Sequence, residues 1–251
     1  MTYCLGLCLD EGLVFASDSR TNAGVDYVMT YSKMHVCTPA PDRLFVLLSA
    51  GNLGTTQEVI NHLQRDLNSP TDGPNLANVR YLFEAAEYLG RLSLEVQHEH
   101  AEALSSAGVS GETTLILGGQ IAGQPHGLML IYPQGNYIAA SPETPYLQIG
   151  ESKYGKPALD RIVHHRLHLE EGGRLALVSL DGTTRSNITV GPPYEVAIYR
   201  KDELTLGHRC KFEEQDPYLV QVRDAWNAGL RAAFDSLPRF AWEQPGKVCT
   251  N

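Results

Sequence analysis

The chain has 251 residues, 43% of them apolar and 20% charged, an ordinary globular composition with enough apolar side chains for a full core. Its 20 Lys and Arg against 29 Asp and Glu leave a net charge of −9, which argues against the basic surface that nucleic acid needs. No apolar run approaches the ~18 residues of a membrane span. The first residues carry Asp10, Glu11 and Asp18 in place of a secretory signal, so a cytoplasmic protein is expected.

In chain order, Tyr3, Leu5, Leu7 and Leu9 alternate with Thr2, Cys4, Gly6 and Cys8, the period of a strand. Asp10-Glu11-Gly12 is a turn signal, and Leu13–Ser17 reads as the returning strand. Residues 19–32 are largely polar and read as a loop. Lys33–Thr38 and Leu44–Ser49 form a second hairpin around Pro39–Asp42. Apolar spacing predicts helices over Thr55–Leu67 and 77–104, then strands at Thr113–Leu117, Leu128–Tyr132 and Tyr146–Ile149. Two more helices fit 157–168 and 172–180, a strand fits Tyr194–Tyr199, and a last amphipathic helix spans 218–236. Strands and helices come in blocks, not in alternation. This favours antiparallel sheets with helices packed outside them over a doubly wound sheet. Cys4, Cys8, Cys37, Cys210 and Cys249 are odd in number and scattered, which suits free thiols in a reducing compartment.

The chemistry concentrates at the start. Removal of Met1 would leave Thr2 with a free α-amine, and a small second residue permits that removal. A threonine hydroxyl is a poor nucleophile until a base takes its proton. The amine of the same residue, with an ordinary pKa of ~7.7–8.0, can be that base. A nearby lysine cation would raise the neutral fraction of the amine, and the lysine needs an anion to stay charged away from water. A three-residue turn at Asp10-Glu11-Gly12 would pair Leu9 with Leu13 and Cys4 with Asp18. Thr2 and Asp18 would then share one face, ~7–8 Å apart. A two-residue turn would put them on opposite faces. Lys33 opens the next strand and is placed to sit between them. Ser49-Ala50-Gly51 ends a strand just before a helix, where a backbone N–H can point at an oxyanion.

Thr2-Tyr3-Cys4, the run Val14–Gly24 with its Asp18-Ser19-Arg20-Thr21-Asn22 core, Lys33-Met34 and Ser49-Ala50-Gly51 together resemble proteasome β-subunits, which are N-terminal-nucleophile hydrolases. With threonine directly after Met1 and Arg185-Ser186-Asn187 near the end, the sequence resembles the bacterial Anbu, or ancestral β-subunit, family. The resemblance implies an α+β fold, a four-layer α-β-β-α sandwich of two antiparallel sheets covered by helices. It implies that residues 1–251 make one β-subunit-like domain with a helical extension from about residue 213. It implies Thr2 as nucleophile and base, Lys33 tuning the amine, Asp18 holding Lys33, and the N–H of Gly51 as oxyanion donor. Asn22 would hold substrate as an added strand. Ser152, after the strand-ending Gly150, and the pair Asp181 and Thr184, where the family carries Asp-x-x-Ser, are the supporting positions. No cofactor is implied. The implied partners are a peptide or protein substrate and further copies of the chain in a ring or open spiral. Any ATP-driven unfolding motor would be a separate protein.

Two other readings compete. One is a proteasome-like scaffold with little activity that keeps Met1. The other is nucleotide binding at Gly150-Glu151-Ser152-Lys153-Tyr154-Gly155-Lys156, which nearly matches a phosphate-binding loop. Pro157 stands there in place of the magnesium-binding hydroxyl and suits a plain helix start. His164 and His168 are four apart but lack an evident third metal ligand.

Overall fold

The computed structural model describes residues 1–22, 28–68 and 73–243. Five strands order as β10-β1-β2-β11-β12 in the first sheet, comprising Tyr146–Gly150, Tyr3–Leu9, Gly12–Asp18, Tyr194–Arg200 and His208–Phe212. The second sheet runs β5-β6-β7-β8-β9, comprising Met34–Ala40, Arg43–Gly51, Thr113–Ile121, Gly127–Ile131 and Tyr137–Ala139. All pairings are antiparallel. A short ribbon of β3 (Arg20–Asn22) and β4 (Val28–Thr30) stands apart from both.

The period of two sorts each strand's side chains into separate cores. In β1 and β2, Leu5, Leu7, Val14 and Ala16 face helices α3 (Lys156–Ile162), α4 (Leu169–Ser186) and α5 (Pro217–Asp235). Cys4, Leu13 and Phe15 face Leu44, Val46, Leu48 and Ile116 of the second sheet. On the far side, Phe45, Leu47, Leu115 and Leu117 pack against α1 (Leu53–Asn68) and α2 (Leu82–Ser106). Helices, sheet, sheet, helices is the expected four-layer α+β sandwich.

Local departures have local causes. The helix expected over 157–168 ends at Ile162, because the next stretch is drawn to the β1–β2 turn. Asp10 N–H donates to the His165 carbonyl at 2.7 Å, and His165 and His168 meet Asp10 and Glu11 at 3.0 and 2.8 Å. The helix that follows runs past 180 to Ser186, sustained by the Thr183 hydroxyl on the Ser179 carbonyl and the i,i+4 pair Asp181–Arg185. The helix expected from 77 starts at Leu82. Asn75 and Asn78 close a separate turn before it, and Glu84 reaches back to the Tyr81 N–H at 3.2 Å. The loop expected over 19–32 carries β3 and β4. β9 and β12 are exposed short strands without the apolar alternation that marks the others.

The first hairpin corrects the expected register. Leu9 pairs with Gly12, so the turn has two residues, Asp10 and Glu11, and Cys4 stands opposite Ser17. Gly12 serves as a ladder residue. At φ +146° it lets the third strand close in, and a Cβ there would lie 2.0 Å from the Tyr199 carbonyl oxygen. Continuing the register sets Tyr3 opposite Asp18. Thr2 and Asp18 therefore start on opposite faces, and their meeting has another cause.

Candidate active site

That cause is the end of β2. Asp18 is the last residue of the strand, and its carboxylate turns across the strand ends instead of pointing out of a face. It accepts the Tyr3 N–H at 2.9 Å, the Gly191 N–H at 3.2 Å and the Lys33 ammonium at 2.6 Å. Lys33 also donates to the Arg20 carbonyl at 2.7 Å. Asp18 is fully buried and Lys33 is 5% exposed. Burial pushes the Asp18 carboxyl above the usual carboxylate range, against the pull of Lys33 and the two N–H groups.

The residue before Tyr3 is held just as firmly. The Tyr3 ring is buried among the helix-facing residues, with its hydroxyl bonded to Ser179 of α4 at 2.7 Å and to Gln148 of β10. The Thr2 carbonyl accepts the Glu151 N–H at 2.7 Å, where the left-handed Gly150 turns β10 away. Anchored on both sides, Thr2 lines a cavity of about 210 Å³ together with Lys33, Gly51, Thr21, Tyr31 and His35. Gly51 comes there because β6 ends at it. Its φ of +124° and the closeness of Glu112 leave no space for a side chain. Asn52 then caps α1, accepting the Thr55 N–H at 3.2 Å.

With Met1 in place, the chain terminus lies within electrostatic reach of this site. Burial first, and the Lys33 ammonium next, hold the terminal amine below its ordinary pKa, against Asp18 and Glu151. The direction of this shift favours the neutral form of the Met1 amine.

The other sequence-derived positions lie around this centre. Ser152 acts through its backbone, accepting the Lys156 N–H at 3.2 Å, while the neighbour that bonds Thr2 is Glu151. The Glu151 carboxylate accepts from Asn187 at 3.1 Å. Asp181 is buried and engaged by two arginines, Arg223 of α5 at 2.7 Å and Arg185 at 3.0 Å. Thr184 bonds the Tyr194 hydroxyl at 2.6 Å, and Tyr194 is the β11 residue opposite Asp18. None of these three lines the cavity. Asn22 pairs through its backbone with Val28, and its side chain lies outside the described residues. Cys249 also lies outside them. Among the described residues, no group of three or more His, Cys, Asp or Glu is disposed to hold a metal ion, and no helix is long and apolar enough to cross a membrane. The lysine of the phosphate-loop look-alike, Lys156, is taken up by Asp160 at 2.6 Å.

No protein-family model and no curated protein matches the sequence. Solved structures do. Anbu from Yersinia bercovieri is 43% identical and superposes with a TM-score of 0.88, the match covering 95% of this chain and 98% of that one. The helical assembly of the Anbu complex from Pseudomonas aeruginosa gives 44% identity and a TM-score of 0.89, covering 95% and 98%. A Gly-1 mutant of Anbu from Hyphomicrobium sp. strain MC1 gives 38% and 0.90, covering 96% and 99%. This chain belongs to the Anbu family.

The Anbu membership agrees with the motifs at Thr2, Asp18, Lys33 and Gly51. Sequence reasoning missed several residues that line this cavity. Tyr31 and His35 flank Lys33 two residues away on either side, and Thr56 and Gln57 lie near the start of α1 after Gly51. That spacing alone could have pointed to them. Burial, together with the Arg209 guanidinium, holds the His35 imidazole below its ordinary pKa. As pH falls, the unfolded chain takes up this proton before the folded one. The contribution to stability is therefore whole above about pH 6.5 and fades below it. Thermal unfolding is expected to show Tm falling from pH 7 to pH 5, and His35→Gln should remove part of that decline.

Proposed function

We propose that the chain is an N-terminal-threonine amidohydrolase, a peptidase working inside a homo-oligomer of its own copies. The single observation that carries this reading is the buried Lys33–Asp18 pair, 2.6 Å apart, at the wall of a cavity that Thr2 and Gly51 also line. Once Met1 is removed, the Thr2 hydroxyl attacks the peptide carbonyl carbon and its proton passes to the Thr2 amine. The N–H of Gly51 holds the negative oxygen of the tetrahedral intermediate. Collapse breaks the C–N bond, the protonated amine gives its proton to the leaving nitrogen, and an ester on Thr2 remains. Water, deprotonated by the same amine, then hydrolyses the ester. Lys33 keeps the amine neutral between these steps, and Asp18 keeps Lys33 charged.

The surrounding residues have supporting roles in this reading. Asn22 and the ribbon of β3 and β4 offer backbone to an extended substrate. Glu151 and Ser152 border the terminus. Asp181 fixes α4 to α5, and Thr184 steadies Tyr194 behind Asp18. Assembly is supported by the helical assembly of the Pseudomonas aeruginosa relative. It is supported also by α5, whose apolar stripe runs from buried Leu219 to Leu230, 53% exposed, and Phe234, 73% exposed.

The test begins with intact mass of the native protein. Loss of the Met1 residue mass is expected, and an intact Met1 favours the inactive scaffold. Peptide amides cut by the wild type should survive Thr2→Ala, with turnover falling by at least ~10³-fold. Residual cleavage at the wild-type rate would exclude Thr2 as the nucleophile. Sedimentation of the same preparation measures the assembly.

A further inference from the structure

The segment that carries Lys33 is tied from an unexpected quarter. Glu195 in β11 is 6% exposed and faces the space between the sheets, the same side as Ala197. Arg209 stands opposite Ala197 in β12, so Glu195 and Arg209 are diagonal neighbours on that face. Their side chains close to 2.6 Å. The guanidinium then crosses to the other sheet. Its Nη2 donates to the Met34 carbonyl at 3.2 Å and to the Ser32 hydroxyl at 3.5 Å. Both residues adjoin Lys33. The Ser32 hydroxyl itself donates to the Met34 carbonyl at 3.1 Å, and the Lys33 carbonyl accepts the Ser49 N–H at 3.1 Å. Four of the five β12 residues are exposed, so the strand adds little to any core. What it does add is Arg209.

We propose that Arg209, held by Glu195, is a positioning residue for Lys33: it holds the Met34 carbonyl on one side of the lysine and the Ser32 hydroxyl on the other, and fixes where the ammonium stands relative to the chain terminus. This rests on the reading of Lys33 as the group that keeps the Thr2 amine neutral. The guanidinium fork is what the role requires. One planar group spans Glu195 and two sites on the Lys33 segment, whereas a lysine ammonium on a flexible stem neutralises Glu195 without bridging. A displacement of about 1 Å at a proton-transfer site can cost ~10²-fold in rate.

Three proteins with Met1 removed decide it: wild type, Arg209→Lys, and the charge-free double variant Arg209→Met with Glu195→Gln. Each is scored by Tm, by acylation of the Thr2 hydroxyl with a β-lactone, and by the apparent pKa of the terminal amine. Ring opening of the lactone leaves an ester on Thr2, read by intact mass. The amine pKa is read from the pH dependence of its reductive methylation. With Met1 in place, the charged groups acting on the terminal amine are Lys33, Asp18 and Glu151. Both variants are expected to keep a Tm close to wild type, since neither leaves Glu195 charged and alone. Their maximal acylation rate should fall about tenfold or more with half-saturation unchanged, and their amine pKa should rise toward the ordinary value. Wild-type acylation rates and a wild-type amine pKa in both variants would overturn the proposal. So would a loss of Tm that accounts for all of the lost rate. If the wild type itself is not acylated, the proposed hydrolase activity falls. The amine titration still decides the role of Arg209, because it reads the placement of Lys33 without any turnover.

Discussion

Replacing Lys33 by methionine is expected to lower acylation of Thr2 by ~10²–10⁴-fold and to destabilise the fold by ~3–5 kcal/mol. The two losses share one cause. Asp18 is fully buried, and its strongest partner is the ammonium at 2.6 Å. Without Lys33 the carboxylate keeps only the N–H groups of Tyr3 and Gly191. It must then stay charged with too few donors or take up a proton. For a chain of this size the stability loss corresponds to a Tm about 6–15 °C lower. Adding Asp18→Asn removes the stranded charge. The double variant should recover part of the stability, measured by denaturant unfolding, and none of the acylation. Independent, additive effects of the two changes would show that the pair does not act as a unit.

Gly51→Ala should be strongly damaging both to the fold and to the site. The backbone sits at φ +124°, and the new Cβ would lie 2.2 Å from the Glu112 carbonyl oxygen and 2.8 Å from the Thr113 Cα. These are backbone atoms of the neighbouring strand, so no side chain can rotate to relieve them. Strain and overpacking together are expected to cost about 2–4 kcal/mol. The backbone shift that relieves the clash also moves the N–H assigned to the oxyanion. Acylation should therefore fall by ~10²-fold or more even where the protein remains folded. Gly123→Ala is the matched control. That glycine has φ +76° but nothing within 4 Å of the added Cβ, so it should cost about 1 kcal/mol and leave acylation unchanged. Equal unfolding costs for the two would refute the steric argument.

Much of the site was legible because its chemistry is written in contiguous motifs. Thr2, the Asp18 run, Lys33 and Ser49-Ala50-Gly51 each sit at a strand end, and alternation in Tyr3–Leu9 and Leu44–Ser49 locates those ends. The face of Asp18 was not legible. It depends on whether Gly12 belongs to the turn or to the ladder, and the answer comes from Tyr199, whose carbonyl would press on any Cβ there. Nor was the end of the helix at Ile162, which is decided by a hydrogen bond between His165 and Asp10, 155 residues apart. Arg209 was invisible for a similar reason. In a short exposed strand without apolar alternation it reads as a solvated surface, and nothing local shows that Glu195 is buried beside it.

The four-layer order came with the family resemblance; by itself the sequence pointed to antiparallel sheets with helices packed outside them and to Thr2 as the candidate nucleophile. These two follow from periodicity and from chemistry confined to a few adjacent residues. Only the tertiary structure decided which turn length sets the first register, that Glu151 rather than Ser152 bonds Thr2, and that β12 reaches across to the Lys33 segment. Each of these is a choice between local alternatives of similar energy, settled by a backbone or side chain distant in sequence that the fold brings within a few ångströms.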